Sequence, residues 1–147
     1  MYDNQVGKIW ADKGFLSLKP LGSWIEDLGL RIKFVQDWID NGTPVTFWMS
    51  GFFFPQAFVT GSLQNYARKK EIAIDKLGFE FKFLDEISHH SEVKDKPEYG
   101  CYVYGLFLEG CRWDDRAHHL TESKPKELFS QLPMMHLIPY EESTKKL

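Results

Sequence analysis

The stretch from Phe47 to Lys70, FWMSGFFFPQAFVTGSLQNYARKK, constrains the fold more than any other part of this sequence. Its first twelve residues hold six aromatic side chains, and the rest is more polar and ends in three cations. Because large aromatic side chains are buried whenever the chain allows it, the run predicts where the chain folds inward. Pro55 suits the first turn of a helix, and the cations complement the negative end of a helix at about Lys70.

A helix is also predicted ahead of this run. Ser23 and Glu26 have the spacing of a capping box, while Asn41-Gly42 supplies a left-handed stop. An aliphatic row follows helical spacing between these ends: Ile25, Leu28, Ile32, Val35 and Ile39. An aromatic row lies on another face: Leu30, Phe34 and Trp38. A helix that is apolar on two faces is typical of one packed between neighbours, so we take the aromatic row as a candidate interface.

The second half of the sequence changes to the period of strands. Phe79, Phe81 and Phe83 alternate with charged residues, which predicts a strand with one buried face. The run 101–108 reads as a central strand, Glu109-Gly110 as a tight turn into 111–114, and 132–139 as a last short strand. The segments 85–98 and 115–131 read as polar connections. Helices followed by antiparallel strands indicate an α+β fold.

The length of 147 residues favours a single domain. We divide it into an irregular lead-in (1–22), a helical part (23–70), a β part (77–139) and a polar tail (140–147). A net charge of −3 gives no bulk attraction to nucleic acid or to an anionic membrane. No apolar run approaches the roughly 20 residues of a membrane helix, and the first residues lack the layout of a signal peptide.

Two cysteines in a protein of this size argue for a reducing, cytoplasmic compartment. Cys101 and Cys111 flank a predicted strand and turn, so a hairpin disulfide is conceivable, although we favour two buried free thiols.

Catalytic and cofactor motifs are missing from the sequence. It contains neither the P-loop pattern nor the dinucleotide-binding pattern of glycines. The adjacent histidine pairs at 89–90 and 118–119 do not fit a compact zinc spacing, and a triad of Cys111, His118 and Asp114 has little weight. We therefore predict no catalytic, cofactor-binding or metal-binding residue.

Arg112 and Trp113 form a second candidate interface. An arginine and a tryptophan beside a turn are residue types that anchor protein interfaces. The plainer alternative, which we favour, has Trp113 covering the core and Arg112 in solvent.

From Ser17 to about Pro139 the sequence resembles the C-terminal domain of dynein heavy chains, in the axonemal form. Five matching pieces occur in the family's order: SLKPLGSWIEDLGLRIKFVQDWIDNGTP, FWMSGFFFPQAFVTGSLQNYARK, IDKLGFEFKFL, VYGLFLEGCRWD and LPMMHLIP. The resemblance implies helices followed by a small antiparallel β-barrel that lies on the AAA+ ring of the motor and modulates it. It implies no catalytic residue here, since ATP hydrolysis and microtubule binding belong to other parts of the heavy chain.

The resemblance therefore predicts a non-catalytic domain of a ciliary dynein, located on the cytoskeleton in the axoneme of a cilium or flagellum. Its partners would be the AAA+ ring or other axonemal proteins, one face of the first helix meeting the ring. The alternative is a small standalone binding module of the same fold that holds a protein or peptide partner.

The C-terminal end departs from the family pattern. Family members continue past the region matching 132–139 with further strand-forming sequence, whereas this sequence ends in the polar tail YEESTKKL. We therefore expect a fragment or a short relative whose barrel is incomplete. An unpaired sheet edge would then lead to self-association, pairing with another polypeptide or marginal stability.

Overall fold

The computed structural model describes residues 20–142. These residues fall into two compact units that divide between Thr43 and Pro44. The first contains helix α1 (Leu21–Asn41), and the second contains helix α2 (Pro55–Lys70) and the strands. Within this range no helix combines the length and the apolar character that a bilayer crossing requires. Most of the predicted lead-in and of the polar tail lies outside the described residues, and the single domain stays a prediction.

Helix α1 begins two residues earlier than predicted. Pro20 is its N-cap, and the Trp24 N–H donates to the Pro20 carbonyl over 3.0 Å, so the expected cap at Ser23 is wrong. The ring of Pro20 fixes its φ at −57° and its backbone is extended (ψ 149°), so the helix begins at the next residue, Leu21. The end is as predicted, because α1 stops at Asn41 and Gly42 takes a φ of 83°.

The aromatic run forms strand β1 (Thr46–Trp48), a short 3₁₀ turn at 49–51 and then α2, whose bounds match the prediction. The Phe58 ring on α2 packs against Phe47 and Phe52, with ring centroids 4.7 and 4.9 Å apart. Phe53 and Phe54 are exposed, so the expectation that the whole run is buried is wrong for these two. Once Phe52 points inward, the extended backbone turns Phe53 outward.

Seven further strands follow α2 in the described residues: β2 (Leu77–Phe83), β3 (Cys101–Tyr104), β4 (Phe107–Glu109), β5 (Cys111–Asp114), β6 (His119–Glu122), β7 (Phe129–Gln131) and β8 (Met135–Glu141). The largest sheet has the order β1-β3-β8-β2. Its β1–β3 pair is parallel, and its other pairs are antiparallel. Two small antiparallel sheets pair β4 with β7 and β5 with β6. The α+β class is confirmed, and among residues 20–142 these sheets do not close into a barrel.

The middle of the β part differs from the prediction in its pairing. The predicted strand 101–108 is broken at Gly105, whose φ of 74° ends β3 before β4 begins. Strands β4 and β5 do not pair with each other, so the turn at Glu109-Gly110 does not close a hairpin. The segment 115–131, read as a polar connection, supplies β6 and β7.

The core of the second unit lies around β3 and β8. Five buried residues form it: Met49, Cys101, Val103, Met135 and Leu137. Side chains from β1, β2 and α2 pack around these five. Phe79 and Phe83 on β2 reach this core as predicted, whereas Phe81 between them is 64% exposed, which corrects the expectation of one buried face.

Candidate interaction surfaces

The aromatic row of α1 is partly covered. Leu30 is 55% exposed, whereas Phe34 and Trp38 are half-buried. The rings of Phe34 and Trp38 meet edge to face with centroids 6.2 Å apart, one helical turn from each other. Such a pair stabilises the helix itself, which leaves less of these two side chains available to a partner. The interface role of the aromatic row stays a prediction.

The aliphatic row of α1 is more open. Leu28 is half-buried, and the other four side chains of the row are exposed, Ile32 by 58% and Ile39 by 71%. Their spacing alternates between three and four residues, as in the seam of a coiled coil. At 1.5 Å per residue the row runs for about 21 Å along α1, enough for a neighbouring helix to lie against it. The sequence shows this spacing, yet our interpretation assigned the interface to the aromatic row.

The second candidate, Arg112-Trp113, lies on β5 opposite β6. The Trp113 ring packs against Phe83 at the end of β2, with centroids 4.5 Å apart. Arg112 is partly buried, and its Nη2 lies 3.6 Å from Oδ2 of Asp114. In residues 20–142 the buried Nε of Arg112 and Nε1 of Trp113 have no hydrogen-bond acceptor. Trp113 thus contacts a residue that packs against the core, and Arg112 is less solvated than in the alternative we favoured. The interface role of Arg112 and Trp113 stays a prediction.

The turn between β5 and β6 is held by Asp114. Its Oδ1 accepts the backbone N–H of Arg116 at 2.9 Å and that of Ala117 at 3.1 Å. The hydrogen bond from Ala117, followed by the one from Arg116, lowers the pKa of Asp114 below its usual range. The turn places His118, at a φ of 54°, against the carboxylate of Asp85 just beyond β2. Two contacts therefore tie the β5–β6 hairpin to the end of β2, Trp113 with Phe83 and His118 with Asp85.

The ion pair of His118 and Asp85 predicts a pH dependence. The hydrogen bond and charge of Asp85 raise the pKa of His118 above 6.5, and the hydrogen bond of His118 lowers the pKa of Asp85 below 3.8. The His118 contribution to stability is complete below about pH 6.5 and is lost as the pH rises through its folded pKa. The Asp85 contribution is present above about pH 3.8 and is lost as the pH falls through its folded pKa. The pair therefore stabilises the hairpin most between these two values.

Replacing Asp85 by asparagine tests this pair. We expect the pKa of His118, followed by NMR titration, to fall back toward 6.5, because the partner charge is gone. The control is Asp115→Asn, since Asp115 raises the pKa of His118 less than Asp85 does. An equal fall in both variants would show that the general negative charge of the turn, and not the Asp85 contact, sets the His118 pKa.

The remaining titratable candidates are not assembled into a site. Cys111 lies opposite Glu122 at one end of the β5–β6 hairpin, while Asp114 lies opposite His119 at the other end. Both cysteines are free thiols, and burial raises the pKa of Cys101 to about 11. Within the described part of the protein no three His, Cys, Asp or Glu side chains gather as a metal site would require.

The structure also exposes apolar side chains that the sequence analysis did not single out as surface. Phe107 on β4 and Phe129 on β7 are both exposed, and the β4–β7 register makes them diagonal neighbours on one face. Phe53 and Phe54 are exposed ahead of α2. The short strands β4 and β7 show no clear alternation, so no pattern in the sequence distinguished these rings from core.

Comparison with known proteins identifies the relatives of this protein. Residues 1–147 match the family model of the C-terminal domain of the dynein heavy chain. Dynein axonemal heavy chain 1 of Mus musculus is 54% identical over 139 residues, which cover 95% of this sequence and 3% of that protein. Dynein axonemal heavy chain 3 of Homo sapiens is 50% identical over 139 residues, 92% of this sequence and 3% of that protein. Dynein axonemal heavy chain 12 of Homo sapiens is 47% identical over 140 residues, 95% of this sequence and 4% of that protein.

Proposed function

This protein belongs to the family of C-terminal domains of dynein heavy chains, and from that premise we propose that it docks on the AAA+ ring of a ciliary dynein and modulates the motor. It spans about 3% of the length of the axonemal heavy chains it matches, so the motor activity of those proteins is not carried over to it. The match is to the C-terminal domain, which agrees with a non-catalytic role. The location that follows is the cytoskeleton of the ciliary or flagellar axoneme.

The observation that supports docking best is the open aliphatic row of α1. Exposed apolar side chains scattered singly are ordinary, but a row of them at coiled-coil spacing is typical of a helix made to contact another helix. Burial of a side chain such as Ile32 or Ile39 in an interface contributes about 1.5–3 kcal/mol. Because four of its five side chains are exposed, the aliphatic row has apolar surface that a partner helix can bury.

We expect the double variant Ile32→Gln, Ile39→Gln to bind a ring fragment lacking its own C-terminal domain roughly a hundredfold more weakly than the unchanged protein, since the loss of each apolar side chain is equivalent to at least about tenfold. Binding is measured by biolayer interferometry, and hydrogen exchange locates the protected residues. Glutamine is a better helix former than isoleucine, so circular dichroism should show no loss of helix.

The matched control replaces Phe53 and Phe54, both exposed outside α1, by glutamine. We expect this control to bind the ring as the unchanged protein does. Undiminished binding of the α1 variant, or protection that avoids α1 on mixing, would contradict docking through the aliphatic row. A protein that shows no affinity for the ring at all would favour the standalone binding module instead.

A further inference from the structure

Strand β2 is an open edge of the four-stranded sheet. It pairs over its whole length with β8, from Leu77 opposite Glu141 to Phe83 opposite Met135. In the sheet order β1-β3-β8-β2 it is the last strand, so no strand of residues 20–142 lies on its other side. An edge strand of seven residues offers a row of backbone groups to any extended segment that fits it.

The ladder with β8 fixes which backbone groups point outward. The Leu84 N–H donates to the Met134 carbonyl over 2.8 Å, which continues the register one pair beyond Phe83. Because hydrogen-bonded and non-hydrogen-bonded pairs alternate in an antiparallel ladder, the even-numbered residues of β2 bond to β8. Pro139, which has no N–H, lies opposite Phe79 and agrees with this assignment. The N–H and C=O groups of Phe79, Phe81 and Phe83 therefore face away from β8.

Strand β2 has an aromatic face and a charged face. Phe79, Phe81 and Phe83 share one face, and Phe81 is 64% exposed there. Glu80 and Lys82 lie on the opposite face and are both exposed. The centre of the edge thus carries one open aromatic ring with one acidic and one basic neighbour.

We propose that β2 pairs antiparallel with β2 of a second copy of this protein, with Phe81 opposite the second copy's Phe81. In this register Glu80 of each copy lies opposite Lys82 of the other, which gives two symmetric ion pairs on one face. On the other face the two Phe81 rings meet at the two-fold axis, and Phe79 lies opposite Phe83. The outward backbone groups of these phenylalanines then exchange both N–H···O bonds in each pair.

Charge complementarity selects this register over its neighbours. A shift by one residue would place the phenylalanine face of one copy beside the charged face of the other. A shift by two residues would place Glu80 opposite Glu80 or Lys82 opposite Lys82, and like charges directly opposite each other destabilise a strand pair. A second copy of the protein has the same Glu80 and Lys82, so it always matches the charges of this edge. We therefore propose a second copy as the partner that pairs with β2.

Charge exchange at these two positions tests the proposal by sedimentation velocity over a concentration series at low salt. The unchanged protein should show a monomer–dimer equilibrium that weakens as salt is added. Glu80→Lys and Lys82→Glu should each dimerise at least about tenfold more weakly, because both ion pairs become repulsive. An equimolar mixture of the two variants should associate again, since every cross-strand pair is then of opposite sign. The double exchange in one molecule should restore the homodimer.

The matched control is Glu127→Lys, an exposed charge reversal outside β2, which should dimerise as the unchanged protein does. A monomer at all concentrations would overturn the proposal. Single variants that dimerise as tightly as the unchanged protein, or that do not associate with each other on mixing, would overturn it as well. Ring docking rests on α1 and not on β2, so the two single variants should keep their affinity for the ring fragment whichever way the dimer test falls.

Discussion

The variant Gly100→Ala is expected to lose about 2–5 kcal/mol of its free energy of unfolding, the sum of a left-handed backbone penalty and of overpacking. Gly100 has a φ of 77°, a conformation that side chains with a Cβ rarely adopt. A Cβ at this position would lie 1.8 Å from the backbone oxygen of Leu137, on the central strand β8. Because that oxygen belongs to the backbone, the clash can be relieved only if β3 and β8 move apart. Urea denaturation followed by tryptophan fluorescence measures the loss.

Gly110 provides the control that separates the two contributions. Its φ of 79° nearly equals that of Gly100, yet a Cβ added there meets nothing within 4 Å. Gly110→Ala should therefore lose about 1–2 kcal/mol, the backbone penalty alone. Equal losses in the two variants would mean that the Gly100 contact with β8 relaxes without cost, contrary to our expectation.

Local signals in the sequence predicted the elements that depend on local chemistry. The bounds of α2 were predicted correctly because Pro55 can begin a helix and the three cations at 68–70 complement its C-terminal end. The stop of α1 at Asn41-Gly42 and the strand around Phe79 were predicted for the same kind of reason. In each case the signal lies in the segment itself or in the residue next to it, so no distant contact is needed to interpret it.

Pairing between distant segments could not be predicted in the same way. Strands β6 and β7 are short and mostly exposed, so neither has the alternation that marks a strand with one buried face. The parallel pairing of Thr46 with Tyr102 depends on the path of the backbone between β1 and β3. The break at Gly105 separated β3 from β4, although the apolar composition of the segment runs on without interruption.

The candidate interaction surfaces also depend on contacts between distant segments, which local sequence patterns do not predict. The sequence identified two apolar rows on α1, but helical periodicity alone cannot say which row stays exposed. Arg112-Trp113 was singled out by residue type, and the contact of Trp113 with Phe83 joins β5 to a strand far earlier in the sequence. The open edge was expected in general terms, whereas its location on β2 required the sheet order.

The second large effect is expected for Leu137→Ala, which should lower the free energy of unfolding by about 2–5 kcal/mol. Leu137 is buried on β8, between Cys101 on β3 and Phe81 on β2, so truncation leaves a cavity that packed strands cannot collapse to fill. The control is Leu128→Ala, the same chemical change at an exposed position, which should cost within about 0.5 kcal/mol. Urea denaturation measures the free energy of unfolding of both variants. Similar small losses in the two would show that the β3–β8 core tolerates a cavity, and the stability of the second unit would then have to come from elsewhere.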